Sequence, residues 1–114
     1  MKVRAATLAD LPTTTDIAIE AFQDDFLYQW MYPQKNQFPA DYRAASLLRQ
    51  KHNLYTPGCC FLVAETEPSD QQWSGHPKIS GYAIWDRVGH TAAAAPWQSR
   101  SIADSKPQPR RPTA

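Results

Sequence analysis

The first apolar pattern in the chain predicts an amphipathic helix over residues 11–22. The carboxylate of Asp10 is placed to accept hydrogen bonds from the first free amides of this helix, and Pro12 suits its first turn. Apolar side chains then recur at helical spacing and form a stripe that can cover one face of a sheet: Leu11, Ile17, Ala18, Ala21 and Phe22.

A second helix is predicted over residues 39–55. Pro39 suits its first turn, and the dipeptide Pro57-Gly58 ends it with a turn. Helical spacing puts four side chains on the stripe that faces the protein interior, namely Tyr42, Ala45, Leu48 and His52. The same spacing puts Arg43, Arg49 and Gln50 outside that stripe.

Three segments have the apolar density of β-strands: residues 2–7, 59–65 and 78–88. Residues 59–65 are almost continuously apolar, which predicts a strand buried on both faces. In residues 78–88, alternation puts Ile79, Gly81, Ala83 and Trp85 on one face and Tyr82 and Ile84 on the other. The polar loop 67–77 predicts that the last two strands form an antiparallel hairpin.

The predicted order is therefore strand, helix, helix, strand, strand (β-α-α-β-β). It indicates a mixed α/β or α+β fold with a short, mostly antiparallel sheet. Between the helices, residues 26–33 are rich in aromatics without a clean period, and they predict a turn of helix or a packed loop.

The length of the chain allows one folded unit, and its composition and charge differ between residues 1–90 and residues 91–114. The chain has 114 residues and a net charge of +1, so no global field attracts nucleic acid or an anionic membrane. Residues 1–90 hold 8 basic and 10 acidic side chains, and residues 91–114 hold 4 basic residues and 1 acidic residue. That region also holds four prolines and few large apolar side chains, which predicts a disordered tail.

The longest apolar run covers only residues 59–64, and the N-terminal residues lack the apolar stretch of a secretory signal. We therefore expect a cytoplasmic protein without a membrane span. Cys59 and Cys60 are neighbours in sequence and cannot join distant parts of a fold, so we interpret them as reduced thiols.

Several segments together resemble the N-terminal half of the GNAT N-acetyltransferase superfamily. They are the opening Val3-Arg4-Ala5-Ala6-Thr7-Leu8-Ala9-Asp10-Leu11, the later Phe22, the strand Phe61-Leu62-Val63-Ala64-Glu65 and the strand Ile79-Ser80-Gly81-Tyr82-Ala83-Ile84-Trp85. The resemblance covers about residues 2–89, and the aromatic segment that ends at Pro33 is most similar to fungal members. It implies transfer of the acetyl group of acetyl-CoA to an amine bound in a cleft beside the sheet.

In that superfamily the pyrophosphate of acetyl-CoA binds to amides at a helix N-terminus, in a loop of pattern Q/R-x-x-G-x-G/A. The glycines of this chain are Gly58, Gly75, Gly81 and Gly89, and no two are two residues apart, so no segment matches the loop. The resemblance therefore implies the acceptor-side half of an acetyltransferase. We expect the chain alone to bind acetyl-CoA weakly or not at all and not to catalyse transfer.

Six side chains are candidates for the acceptor site. Phe26, Tyr28, Trp30 and Tyr32 lie in the segment that shapes the acceptor pocket in the resembled superfamily, although simple core packing would explain them as well. Glu65 and Asp86 stand at strand ends, where they would orient an amine or act as a general base, or simply be solvated.

Other reactive residue types give no site pattern. His52, His76 and His90 have no His or Cys neighbours at ligand spacing, so no metal site is predicted. Cys59 and Cys60 are interpreted as small buried side chains rather than nucleophiles.

A second function class stays open, a noncatalytic interaction module. Such a module would pair through the free edge of strand 78–88, for example in a homodimer. Binding of nucleic acid through the tail is the weakest alternative, because three net positive charges supply few phosphate contacts.

Overall fold

The computed structural model describes residues 1–86 together with Val88 and Ala92. Within these residues the elements are β1 (Lys2–Ala5), a 3-10 turn (Leu8–Asp10), α1 (Leu11–Ala21), α2 (Phe26–Met31), α3 (Pro39–Tyr55), β2 (Cys59–Glu65) and β3 (Ile79–Asp86). The predicted α+β class is confirmed. The aromatic segment between the two long helices forms a short helix of its own.

The described strands form one antiparallel sheet in the order β1-β2-β3. Arg4 of β1 lies opposite Val63 of β2, and the predicted hairpin of β2 and β3 is confirmed. A register shift between Ala64 and Glu65 places Ile79 opposite Glu65. Because of this irregularity, Ile79 packs against the core together with Tyr82, and the prediction that it shares a face with Ala83 is wrong.

The core lies between the sheet and the two long helices. Its side chains are almost inaccessible to solvent, and they come from β2, from both long helices and from the turn after β1: Ala6, Leu11, Leu54, Tyr55, Phe61 and Val63. Burial of a side chain the size of Phe61 contributes roughly 1.5–3 kcal/mol relative to leaving it exposed. The helix pair is therefore fixed against one face of the sheet.

The predicted stripe of α1 is only partly correct. Leu11 is buried, but Ala21 and Phe22 are exposed, and two hydroxyl side chains, Thr14 and Thr15, are fully buried in their place. The carboxylate of Asp10 gives α1 no capping hydrogen bond, so that prediction is wrong as well.

The predicted buried stripe of α3 is wrong, although the bounds of the helix are correct. Leu48 and His52 are exposed, whereas Ser46, Gln50 and Leu54 are buried. Gln50 can be buried because its amide is hydrogen-bonded to α1, which offsets the cost of removing it from water.

Helix α2 begins at a strong cap and lies at the surface. The Asp25 carboxylate accepts hydrogen bonds from the backbone N–H groups of Leu27 and Tyr28, at 2.9 and 3.3 Å. No residue of α2 is fully buried. Its position relative to α3 is therefore set by a few aromatic contacts and by hydrogen bonds of the flanking loops.

The predicted disordered tail, residues 91–114, lies outside the described residues except for Ala92. Among the helices that the structure does describe, none has the length and apolar character needed to cross a bilayer.

Candidate functional site

A cavity of about 230 Å³ lies between α1, α2, α3 and β3. Ala18, Ile19 and Ile84 form its apolar part. The side chains that carry polar groups are Tyr28, Tyr42, Ser46, Arg49, Gln50, Asn53 and Tyr82. We call this space the tyrosine cavity. Aromatic walls and converging polar groups are features of small-molecule sites, and this cavity is smaller than the ligand pockets of about 300–1,000 Å³ found in most proteins.

Helix α3 supplies most of the polar lining. Its lining residues are Tyr42, Ser46, Arg49, Gln50 and Asn53, which share one helical face because they are separated by four, three, one and three positions. This face points toward the cavity and the buried side of α1. Sequence reasoning placed Tyr42 on the inward stripe but missed the other four, and it put Arg49 and Gln50 outside that stripe.

Gln50 joins α3 to α1 through buried hydrogen bonds behind the cavity. Its Oε1 accepts hydrogen bonds from the hydroxyl groups of Thr14 at 2.5 Å and Thr15 at 3.1 Å, and its Nε2 donates to the Thr14 carbonyl at 3.4 Å. All three side chains are buried. This polar contact fixes the distance and rotation between α1 and α3.

A series of aromatic rings crosses the site from α1 to α3. The ring centroids of Phe22 and Tyr28 lie 4.7 Å apart, those of Tyr28 and Tyr32 lie 6.4 Å apart, and those of Tyr32 and Tyr42 lie 5.2 Å apart. Such ring pairs stabilise beyond the area they bury. They hold α2 in place although it has no fully buried residue.

The cation of the tyrosine cavity is Arg49, at its solvent-exposed side. Its Nη1 donates a short hydrogen bond to the Tyr32 hydroxyl, and its guanidinium carbon lies 5.5 Å from the centre of the Tyr32 ring. In the described part of the chain, Arg49 forms no ion pair with a carboxylate. Arg43 on the same helix, by contrast, pairs with Asp16 at 2.8 Å.

Lys35 lies near this region, but its ammonium group is hydrogen-bonded within the fold. It is buried, and its Nζ donates to the Gln23 carbonyl at 2.7 Å while lying 5.9 Å from the centre of the Tyr42 ring. This contact joins the loops before and after α2. Lys35 lines a more open depression of about 340 Å³ outside Tyr32 and Tyr42, and not the tyrosine cavity.

Two tyrosines of the cavity have a pKa above the ordinary value of 10.0. Burial raises the pKa of Tyr82, and the repulsion of an ionised Tyr28 adds to the effect, although Arg49 and a hydrogen bond with Gln50 oppose it. Burial likewise raises the pKa of Tyr42. Both phenols therefore offer a hydroxyl hydrogen at neutral pH.

The structure places the four predicted aromatics in two groups. Tyr28 lines the tyrosine cavity, and Tyr32 lies beside it through its contact with Arg49. Phe26 and Trp30 point away and are 82% and 73% exposed. The helical period of α2 separates these pairs, because residues two apart lie on different sides of a helix.

The two predicted carboxylates lie away from the tyrosine cavity. Asp86 is exposed at the last position of β3. Glu65 accepts hydrogen bonds from Arg4 at 2.9 and 3.1 Å, and Arg4 also donates to both oxygens of Asp10 at 2.8 and 3.0 Å. This Arg4 cluster joins β1, β2 and the turn before α1, so Glu65 has a role in the fold.

Electrostatics inside the Arg4 cluster agree with that role. Burial alone would raise the pKa of Asp10, but hydrogen bonds from Arg4 and Thr7 outweigh it and hold the pKa below its ordinary value. The hydrogen bond to Asp10 raises the pKa of Arg4, and burial opposes that increase. Both groups therefore stay charged in the folded protein.

The remaining reactive side chains form no second centre among the described residues. Within that part of the chain, no three His, Cys, Asp or Glu side chains are grouped so as to hold a metal ion. Cys59 and Cys60 are free and buried, and burial raises the pKa of both thiols, which disfavours the nucleophilic thiolate. His90 lies outside the described residues.

Comparisons with models of protein families, with curated proteins and with solved structures found no match to this chain.

Proposed function

We propose that this chain carries the acceptor side of a GNAT-like N-acetyltransferase, with the tyrosine cavity as the pocket for the amine. The observation that carries the proposal is the position of the cavity. It lies beside the sheet, between the helices that follow β1 and the strand β3. The resemblance of the sequence to the N-terminal half of that superfamily implies an acceptor cleft at a similar place.

The lining suits an acceptor amine that must become neutral before it attacks an acetyl group. Among the residues that the structure describes, no carboxylate lines the cavity, and Arg49 contributes a positive charge. A neighbouring cation disfavours an ammonium ion, so Arg49 lowers the pKa of a bound amine. The protonated hydroxyl of Tyr82 is available as a hydrogen-bond donor to the bound molecule.

The N-termini of the two long helices do not suit the diphosphate of acetyl-CoA. The first turns of α1 and α3 each contain a proline, Pro12 and Pro39, which removes one backbone donor from each. The N-terminus of α1 also adjoins the charged carboxylate of Asp10, which repels an anion. The sequence holds no glycine loop of the pattern Q/R-x-x-G-x-G/A. We therefore propose that this chain binds the acceptor and holds acetyl-CoA weakly or not at all.

Titration of the tyrosine-labelled chain with phenylalanine and phenethylamine, followed by NMR, tests the acceptor pocket. We expect at least one of the two amines to shift the signals of Tyr28 and Tyr82. Ala18→Leu fills the cavity and should weaken that binding at least tenfold, whereas Ala44→Leu, at an exposed position of α3, should leave it unchanged. The absence of any shift with either amine would refute the acceptor pocket.

Calorimetric titration with acetyl-CoA tests the cofactor part of the proposal separately. We expect no saturable binding and no release of coenzyme A when phenylalanine or phenethylamine is added. Micromolar affinity together with turnover would contradict this part.

The alternative proposal is a noncatalytic module that pairs through the outer edge of β3. In the described part of the chain, β3 is hydrogen-bonded only to β2, so its outer backbone groups are free for another strand. Trp85 on this strand is 63% exposed. Light scattering distinguishes the two proposals, because a stable dimer that Ser80→Pro converts to a folded monomer would favour pairing through this edge.

A further inference from the structure

We infer that the tyrosine cavity recognises a carboxylate, which binds the guanidinium of Arg49. The inference rests on the proposed acceptor function and narrows it, because the acceptor would then be a small amine that also carries a carboxylate. A carboxylate-bearing amine of this kind is an amino acid or a close analogue.

The first argument is the pairing of the arginines. Arg4 and Arg43 both form ion pairs with carboxylates of the fold, at 2.8–2.9 Å. Arg49 instead donates to a neutral phenol, and no described carboxylate pairs with it. A guanidinium has five N–H donors in a planar fork, so Arg49 keeps donors that can bind a carboxylate in the bidentate geometry.

The second argument is the balance of donors and acceptors around the space. Tyr42 and Tyr82 keep their hydroxyl hydrogens, and the Asn53 amide has two N–H donors beside one acceptor oxygen. The principal acceptor, Gln50 Oε1, is already occupied by the hydroxyl groups of Thr14 and Thr15. The lining therefore favours a group that accepts hydrogen bonds and carries negative charge.

The third argument is the number of positive charges. Of the described residues in the lining, Arg49 alone is charged, and Lys35 is directed to the Gln23 carbonyl outside the cavity. A single guanidinium neutralises a monoanion, whereas a phosphate with two charges would keep one of them uncompensated beside apolar side chains. The apolar part formed by Ile19, Ile84 and Ala18 suits the hydrocarbon part of the same small molecule.

The test compares three probes that share a phenyl group: phenylacetate, which has the carboxylate alone, phenethylamine, which has the amine alone, and phenylalanine, which has both. Dissociation constants are measured by calorimetry or ligand-observed NMR on the full 114-residue chain. We expect phenylacetate to bind at least tenfold more tightly than phenethylamine. Tenfold corresponds to about 1.4 kcal/mol, which is near the lower end for a hydrogen bond to a charged group.

Arg49→Gln should weaken phenylacetate binding at least tenfold and should not weaken phenethylamine binding, because it removes a cation that disfavours the ammonium form. Arg43→Gln is the matched control, because it removes an arginine of the same helix that already pairs with Asp16, and it should leave both affinities unchanged. Circular dichroism establishes that each variant is folded.

The outcomes separate this inference from the proposed function. If phenylacetate does not bind, or if Arg49→Gln binds it as well as the unaltered chain, the carboxylate inference is wrong, even when phenethylamine binds in the cavity. If phenylacetate binds through Arg49 but neither amine binds, the inference stands and the acceptor function is wrong. Binding of phenylalanine that Arg49→Gln weakens supports both.

Discussion

Replacing Gln50 with leucine tests whether the polar contact between α1 and α3 determines the shape of the tyrosine cavity. Leucine has a similar volume, so the variant removes the amide and opens little space. The hydroxyl of Thr14 can turn to the Leu11 carbonyl, from which it lies 3.2 Å, but no described acceptor other than Gln50 receives the hydroxyl of Thr15.

The expected loss in free energy of unfolding follows from the buried polar groups that each variant leaves without a hydrogen-bond partner. A buried donor that loses its partner costs about 1–3 kcal/mol, so we expect Gln50→Leu to destabilise the protein by about 2 kcal/mol. Thr14→Val with Thr15→Val leaves Gln50 Oε1 without its hydroxyl donors and should cost a similar amount, about 2 kcal/mol. All three changes together replace the polar contact with an apolar one and should cost only about 1–2 kcal/mol.

Urea denaturation followed by circular dichroism measures the free energies of unfolding of these variants. The expected coupling between the two sides is about 2–3 kcal/mol, which is typical of residues that share one hydrogen-bond network. Free energies that add within about 0.5 kcal/mol would refute the idea that Gln50 and the threonines act as a unit. In that case the position of α3 would depend on its apolar contacts alone.

Two further predictions concern the Arg4 cluster. Arg4→Ala should destabilise the protein by about 2–3 kcal/mol, because it leaves the buried carboxylate of Asp10 without its cation. Removal of Arg43, which pairs with Asp16 at the surface, should cost much less, and equal costs in urea denaturation would contradict this. Because the pKa of Asp10 is lowered in the folded protein, its contribution to stability is present above the ordinary value of 3.8 and is lost as the pH falls through the folded pKa. Urea midpoints measured from about pH 5 down to about pH 2 should therefore fall more steeply for the unaltered chain than for Asp10→Asn, and parallel curves would show that Asp10 does not titrate in this way.

The sequence predicted the elements well because their signals are local. Continuous apolar residues mark β2, and prolines and glycines mark the ends of α3. The predicted bounds of β2 and α3 agree with the structure, and β3 extends over residues 79–86 of the predicted 78–88. The hairpin followed from the polar loop between two strands.

The inward faces of the helices were harder to predict because they depend on contacts across the fold. Apolarity alone selected Leu48, which is 68% exposed, and rejected Gln50, which is 5% exposed. A glutamine becomes an interior residue only where another element supplies partners, and here Thr14 and Thr15 lie 36 and 35 residues away in sequence. The polar positions of α3 that line the cavity share a helical period, and that period was the signal available in the sequence.

The candidate site was likewise predictable where its signals are local in sequence, and not where they depend on contacts across the fold. Aromatic density directed attention to α2, but the helical period decides that Tyr28 faces the cavity and that Trp30 faces solvent. Glu65 was selected for its place at the end of a strand, and its partner Arg4 could be identified only once β1 was paired with β2. Charge and position in sequence do not reveal whether a carboxylate is already paired.

The order β1-β2-β3 also determines when the parts of this protein can assemble. Residues 66–78 alone separate β2 from β3, so this hairpin closes a short loop. Ala5 pairs with Leu62, and the chain between them includes both long helices, so the pairing of β1 with β2 closes a much longer loop. Closing the longer loop costs more chain entropy, and contacts distant in sequence slow folding. We therefore expect the β2–β3 hairpin to form early, and the first strand to join the sheet only near the end of folding.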